Sequence, residues 1–484
     1  TMTLSVSNSF LPPYSVLSEP KLLFHPERID DVHVHPLRGL LEFGPFSRSL
    51  VNAVLDPIRL AVICPDGGVA HVDELLRELE QVHGPKERKV YLPDFPGFSR
   101  VFGLRLVRNG RVTIELDQVS ERNLKGAERP HVLLSDQLTK CLSALSKQKH
   151  EFDVVLLYLP KDWSKGFVYK QDEDDFDLHD YLKASSASLG VPLQIVREDM
   201  AMSYFCRCSV AWRLGIAIYC KAGGVPWKLA TSDRETAFIG LSYAVRRTDS
   251  KDHDRFVTCC SQVFDSDGAG LEFIAYETAD AYVERRNPFL TRSDMRRVMA
   301  RSLSLYQRRH AGKVPTRIVV HKVSEFKDDE VEGCFDALQR ADSVELVQIQ
   351  LNSMWRGVKI DSPKGADSKG KAAGYPCERG TLFPIDEFET LLWSQGNAAN
   401  VVGGKAFFKE GKGIPHPLLI RRFAGHGGWE LPATEVLGLT KMDWNNDGLY
   451  DRLPVTVGYA QTLARIIKRM PQLAPIPYEF RFFM

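Results

Sequence analysis

Ser209-Val-Ala-Trp-Arg-Leu-Gly-Ile-Ala-Ile-Tyr-Cys-Lys-Ala-Gly-Gly-Val-Pro-Trp-Lys-Leu229 reads as a strongly apolar helix running into a double-glycine stop. Glycines so placed end a helix, and a domain boundary is set between 225 and 226. Upstream, residues 46–225 alternate strand and helix. Arg59–Cys64, Val112–Leu116, Phe152–Leu159 and Pro192–Val196 are short apolar runs, and helical spacing falls at 72–83, 135–148 and 178–189. Strands apolar on both faces imply a parallel sheet covered by helices, a Rossmann-like unit. The Gly- and Asp-rich segment 165–176 reads as a loop. Residues 1–45 are Pro-interrupted and read as an extended lead-in with two strands. Downstream, three meandering strands (236–245, 256–263, 271–277) precede a helix at 291–310. Strand 317–322, helix 326–341 and strand 344–349 follow, which is the order of an RNase H-like domain over 226–484. The fold class is α/β.

Composition excludes several functions. The 63 basic and 62 acidic residues leave a net charge of +1, so the chain is not coated in positive charge, although a local basic groove is compatible. Nine cysteines without a CxxC pair give no zinc knuckle or disulfide framework and suit a reducing, cytoplasmic compartment. No apolar run reaches the ~18 residues of a membrane span.

Several motifs are decoys. Gly365–Lys371 resembles a phosphate loop, but Ala372 replaces the magnesium-binding hydroxyl, and Gly374-Tyr-Pro376 stops the helix that must follow. His33 and His35 alternate on one strand without a partner cluster, and Asp172–Asp175 reads as solvated surface. Five Arg-Arg pairs (246–247, 285–286, 296–297, 308–309, 421–422) could line a channel that holds a duplex by its phosphates. The informative set is His179 and Lys183, four apart on one helix, then Gln194 in the next strand and Lys221 at the Gly-Gly turn. Cations near helix ends beside an amide suit a terminal phosphate.

The order His179-x3-Lys183, Gln194, then Lys221-Ala-Gly-Gly resembles the guide 5′-phosphate pocket of Argonaute MID domains. Lys221–Leu229, Leu439–Asn445 and Pro454–Ala464 are similar to segments of PIWI domains. The resemblance implies a Rossmann-like MID domain at 46–225 and an RNase H-like PIWI domain at 226–484. With only residues 1–45 ahead of them, the expected layout is that of short prokaryotic Argonautes, without N-terminal and PAZ lobes. Where a slicing PIWI domain carries metal-binding acids, this sequence offers Ser242, Lys322 and Gln461. A hydroxyl, an ammonium and an amide hold magnesium poorly, so no catalytic residue and no enzymatic activity are expected. An active nuclease drawing on Asp249 or Glu325 is the rival reading.

The family further implies Mg²⁺ at the guide phosphate, held by Gln194 and the carboxylate of Met484 beneath the apolar tail Tyr478–Met484. It implies a guide RNA, a single-stranded DNA target, and a heterodimer, open to oligomerisation on activation, with a subunit carrying an Argonaute-associated (APAZ) region. That subunit is expected to hold a sirtuin-like effector, ahead of a TIR one. The outcome would be NAD depletion and abortive infection in prokaryotic antiviral defence.

Overall fold

The computed structural model describes residues 13–51, 53–171, 174–233, 235–247, 255–278, 282–284, 287–361, 371–373, 376–403, 405–408, 414–468 and 477–484. After a short helix α1 (Pro36–Phe43), strand β1 (Ile58–Pro65) leads through helix α2 (Val69–Leu79) to β2 (Leu106–Leu116). Helix α3 (Pro130–Ser146), β3 (Val154–Leu159), helix α4 (Leu178–Leu189), β4 (Leu193–Arg197) and helix α5 (Arg207–Lys221) complete the unit. The four strands are parallel in the order β2-β1-β3-β4. Every residue of β3 is buried because helices cover both faces. Leu60, Val62 and Leu156 pack towards Trp212 and Ile216 of α5, whereas Ala61, Ile63 and Leu157 pack towards Leu138, Leu142 and Leu182.

The second sheet has ten strands. Towards one edge it holds the antiparallel meander β5 (Thr236–Arg247), β6 (Arg255–Asp265) and β7 (Gly270–Thr278). Helix α6 (Arg292–Arg309) then leads to β8 (Arg317–Lys322), which lies parallel to β5. Helix α7 (Asp328–Leu338) leads to β9 (Ser343–Gln350), parallel to β8 and paired with antiparallel β10 (Leu418–Ala424), after which comes helix α8 (Glu430–Leu439). This is the expected RNase H-like order. Alternation along β5 sorts its neighbours: Ala237, Ile239 and Leu241 pack with Met295 and Val298 of α6. The even positions face α9 (Val455–Ile467), and a Cβ built on Gly240 would stand 2.1 Å from the Thr456 carbonyl oxygen. Only glycine allows that approach.

The two sheets join through buried polar contacts. Asp447, wholly buried, takes Arg88 at 2.7 Å and Arg213 at 3.0 Å, and its carbonyl accepts from the Tyr91 hydroxyl at 2.7 Å. Lys441 Nζ donates to Glu19 and to the carbonyls of Pro20 and Val34, which ties the N-terminal segment to the second sheet. Among the described residues no helix is long and apolar enough to cross a membrane.

Three local readings need correction. Residues 36–43 of the lead-in form a helix. His35 caps it, its ring Nδ1 accepting from Arg38 N, while Leu37 and Leu40 are buried. His35 itself is buried, its Nε2 2.8 Å from the Tyr91 carbonyl oxygen, and burial pushes its pKa down to about 3. The segment read as a loop holds a hairpin, Val168–Gln171 with Asp174–Asp177. The helix assigned to 72–83 starts and ends earlier, at Val69 and Leu79. Asp249, Arg285, Arg286 and nearly all of the phosphate-loop look-alike lie outside the described residues.

Candidate functional site

Helix α4 starts at Asp177, whose carboxylate accepts from Asp180 N at 3.1 Å. One turn on, Lys183 points inward and is buried, its Nζ donating to the Leu193 carbonyl at 2.7 Å and to the main-chain oxygen of Met484. Helix α5 delivers Lys221, equally buried, whose Nζ donates to Gln194 Oε1 at 2.7 Å. The helix stops where the sequence placed its glycines: Gly223 takes φ +100°, and Gly224 N reaches back to the Tyr219 carbonyl. Lys183, Gln194, Lys221 and Met484 therefore converge from four segments. His179, on the exposed side of α4, lies 3.3 Å from Asp180 instead and joins none of these hydrogen bonds.

The electrostatics of this cluster are unusual. Burial pushes the Lys183 pKa well below its ordinary range, and the nearby Lys221 adds to the shift. Burial also takes Lys221 down to about 8. Among the described residues, neither ammonium pairs with a side-chain carboxylate: Lys221 donates to the Gln194 amide, and Lys183 to the Leu193 carbonyl and to an oxygen of Met484, the last residue of the sequence. Two buried like charges set close together are costly, and an anion bound beside them would relieve both. A cleft of about 670 Å³ opens beside Gln194, with Tyr204, Phe205 and Met200 along its rim.

A second cleft, of about 690 Å³, lies at the C-terminal end of β8, beside the middle of β5. Ser242 of β5, Lys322 of β8 and Gln461 of α9 all line it, so the three positions that the sequence singled out are neighbours in space. Lys322 Nζ is fully committed: it lies 2.5 Å from Glu330 Oε2 and about 5 Å above the rings of Tyr243, Phe289 and Phe326. Burial lowers its pKa against the opposing pull of Glu330.

The Argonaute of Clostridium butyricum bound to a guide DNA and a 19-mer target DNA superimposes with a TM-score of 0.61 at 15% identity, covering 95% of this chain and 53% of that one. The chain has an Argonaute fold. Aquifex aeolicus Argonaute with externally bound siRNA (TM-score 0.61, 15% identity, 98% and 56% covered) and Drosophila Piwi (0.60, 14%, 97% and 56%) align similarly. The chain thus spans a little over half the length of these Argonaute structures. No protein-family model and no curated protein matches the sequence.

Within this Argonaute fold, the four-stranded unit corresponds to a MID-like fold and the ten-stranded sheet to a PIWI-like one. In the cleft beside β5 and β8, the positions Ser242, Lys322 and Gln461 offer no carboxylate to a magnesium ion, and a salt-bridged ammonium occupies one wall. Glu325, considered above as a substitute ligand, sits 2.7 Å from Lys327 Nζ. At the MID-like cluster, Gln194 Oε1 and the Met484 oxygen are of the hard type that Mg²⁺ takes, and both now accept from lysines.

Some participants escaped the sequence reading. Arg481, the one cation in the apolar tail, donates to the Lys221 carbonyl at 3.3 Å. Arg465 of α9 reaches Asp180 of α4 at 3.1 Å. Glu330, the partner of Lys322, sits eight residues downstream on another element and carries no motif. Among the described Arg-Arg pairs, Arg308 and Arg309 bind Glu272 on the α6 side of the sheet, whereas Arg422 is buried over the Trp429 ring, so these two pairs do not line one channel.

Proposed function

We propose that this chain is a guide-directed nucleic-acid sensor that holds a guide RNA by its 5′ phosphate and does not cut. The observation carrying the proposal is the buried pair Lys183 and Lys221, which no described side-chain carboxylate pairs and which Gln194 and the Met484 oxygen join. A terminal phosphate supplies the missing negative charge, and the adjoining aromatic-rimmed cleft has room for the first nucleotide's base. A Mg²⁺ ion accompanying the phosphate would draw on Gln194 Oε1 and the Met484 oxygen and neutralise phosphate charge there. The guide and target DNA named for one of the similar structures, and the externally bound siRNA named for another, support nucleic acid as the partner class.

In this reading the target is a complementary single-stranded DNA. The cleft lined by Ser242, Lys322 and Gln461 leaves it intact, and recognition passes to an associated effector subunit with an APAZ-type region, sirtuin-like ahead of TIR. NAD depletion and abortive infection in prokaryotic immunity then belong to that subunit, in the cytoplasm. The test is direct. Chain loaded with a 5′-phosphorylated guide RNA is mixed with complementary DNA in Mg²⁺ or Mn²⁺. Retention of full-length target is expected, and a guide-dependent product would overturn the proposal in favour of an endonuclease with unconventional ligands.

A further inference from the structure

The cleft between β5 and β8 is stocked with donors. Ser242 lies on the α9-facing side of β5, and its hydroxyl oxygen is buried without a hydrogen-bond partner. Gln461 on α9 and Lys468 at its C-terminal cap are seven residues apart, exposed, and unpaired among the described residues. The acids at the rim are engaged already: Glu284 and Glu325 hold Lys327 at 3.1 and 2.7 Å. The Lys322 charge is spent on Glu330 inside the wall. A buried hydroxyl, an exposed amide and an exposed ammonium are therefore left without partners along the cleft, and all three can donate.

We infer that this cleft seats one backbone phosphodiester of the paired target strand without a divalent ion, with Ser242 Oγ and the Gln461 amide donating to its non-bridging oxygens and Lys468 supplying the charge. The inference rests on the guide-directed reading above and adds to it a metal-free anion cradle where a nuclease would place its metals. Such a cradle satisfies the orphaned Ser242 hydroxyl, which is buried and has no hydrogen-bond partner among the described residues. It also fixes the register of the duplex at one point, because a phosphate contact positions a strand without reading its sequence.

The test uses chain loaded with a 5′-phosphorylated guide RNA and a set of target DNAs, each carrying a single neutral methylphosphonate at a successive position. Dissociation constants are measured in Mg²⁺ and in EDTA, after retention of the guide has been checked in both. One position should weaken binding about tenfold, equally with and without the metal. That penalty should fall to less than about twofold in the Ser242→Ala/Gln461→Ala/Lys468→Ala variant, in keeping with lost charge-assisted bonds. A flat scan, a penalty present only in Mg²⁺, or one undiminished in the variant overturns the cradle and leaves guide loading standing. Failure to load guides with a 5′-phosphate preference overturns the parent reading and this inference together.

Discussion

Replacing Lys322 by methionine removes one charge from a pair whose side chains are 1% and 0% exposed. The remaining Glu330 still accepts from the Tyr243 hydroxyl at 2.9 Å, Leu290 N at 3.1 Å and Lys327 N at 3.2 Å, but its charge loses the only buried cation beside it among the described residues. Breaking a buried pair from one side costs about 3–5 kcal/mol. The three rings around the ammonium add about 0.5–2 kcal/mol of cation–π attraction. Methionine keeps most of the volume, so the cavity contribution is small. Urea unfolding followed by tryptophan fluorescence should place Lys322→Met about 3–5 kcal/mol below wild type. The double variant Lys322→Met/Glu330→Gln, with the charge gone but an acceptor kept, should recover most of that loss. A single variant within about 1 kcal/mol of wild type, or a double variant no better than the single, would refute the reasoning. If it holds, Lys322→Asp, the reversion towards a metal ligand, sets a second carboxylate against Glu330 and destabilises the sheet.

Other consequences are open to test. His35 and His321 are both buried with pKa values pushed down to about 3. Below about pH 6.5 the unfolded chain therefore binds protons that the native state refuses, and stability falls as pH falls. Each should cost about 2 kcal/mol by pH 5, and an unchanged urea midpoint between pH 7 and pH 5 would contradict this. Gly240→Ala forces a methyl group against the Thr456 carbonyl and should destabilise by about 1–3 kcal/mol. Gly110→Ala, where nothing lies within 4 Å, is the control, and equal stability of the two variants would remove the close-approach argument. Lys221 loses its proton near pH 8 in the free chain. The preference for 5′-phosphorylated over 5′-hydroxyl guides should therefore decline between pH 7 and 9, and a flat profile would separate Lys221 from the phosphate.

Legibility in the sequence followed chemistry. Continuous apolar strands such as Val154–Leu159 and the meander that opens the second sheet could be read because burial on both faces, or alternation, leaves a pattern in residue order. The double-glycine stop was legible for a stereochemical reason, the positive φ at Gly223. Helix α1 was not: eight residues entered through Pro36 and capped by a histidine look like a broken lead-in, and its burial against Phe24 is a tertiary fact. Of the site, the residue types Lys183, Gln194 and Lys221 could be chosen from spacing and resemblance. Their inward rotation, and the outward one of His179, could not, because i and i+4 positions share a face without sharing its depth. Arg481 and Glu330 act through contacts that close only in three dimensions, 260 and 8 residues away from Lys221 and Lys322.

The measurement closest to the central claim compares dissociation constants for one guide RNA carrying a 5′ phosphate or a 5′ hydroxyl, on wild type and on Lys183→Ala/Lys221→Ala. Wild type should prefer the phosphate by at least about tenfold, as charge-assisted bonds from two ammonium groups require. The variant, still folded by urea titration, should bind both ends alike. Equal affinity for the two guides on wild type, or a preference that survives loss of both lysines, would contradict the account.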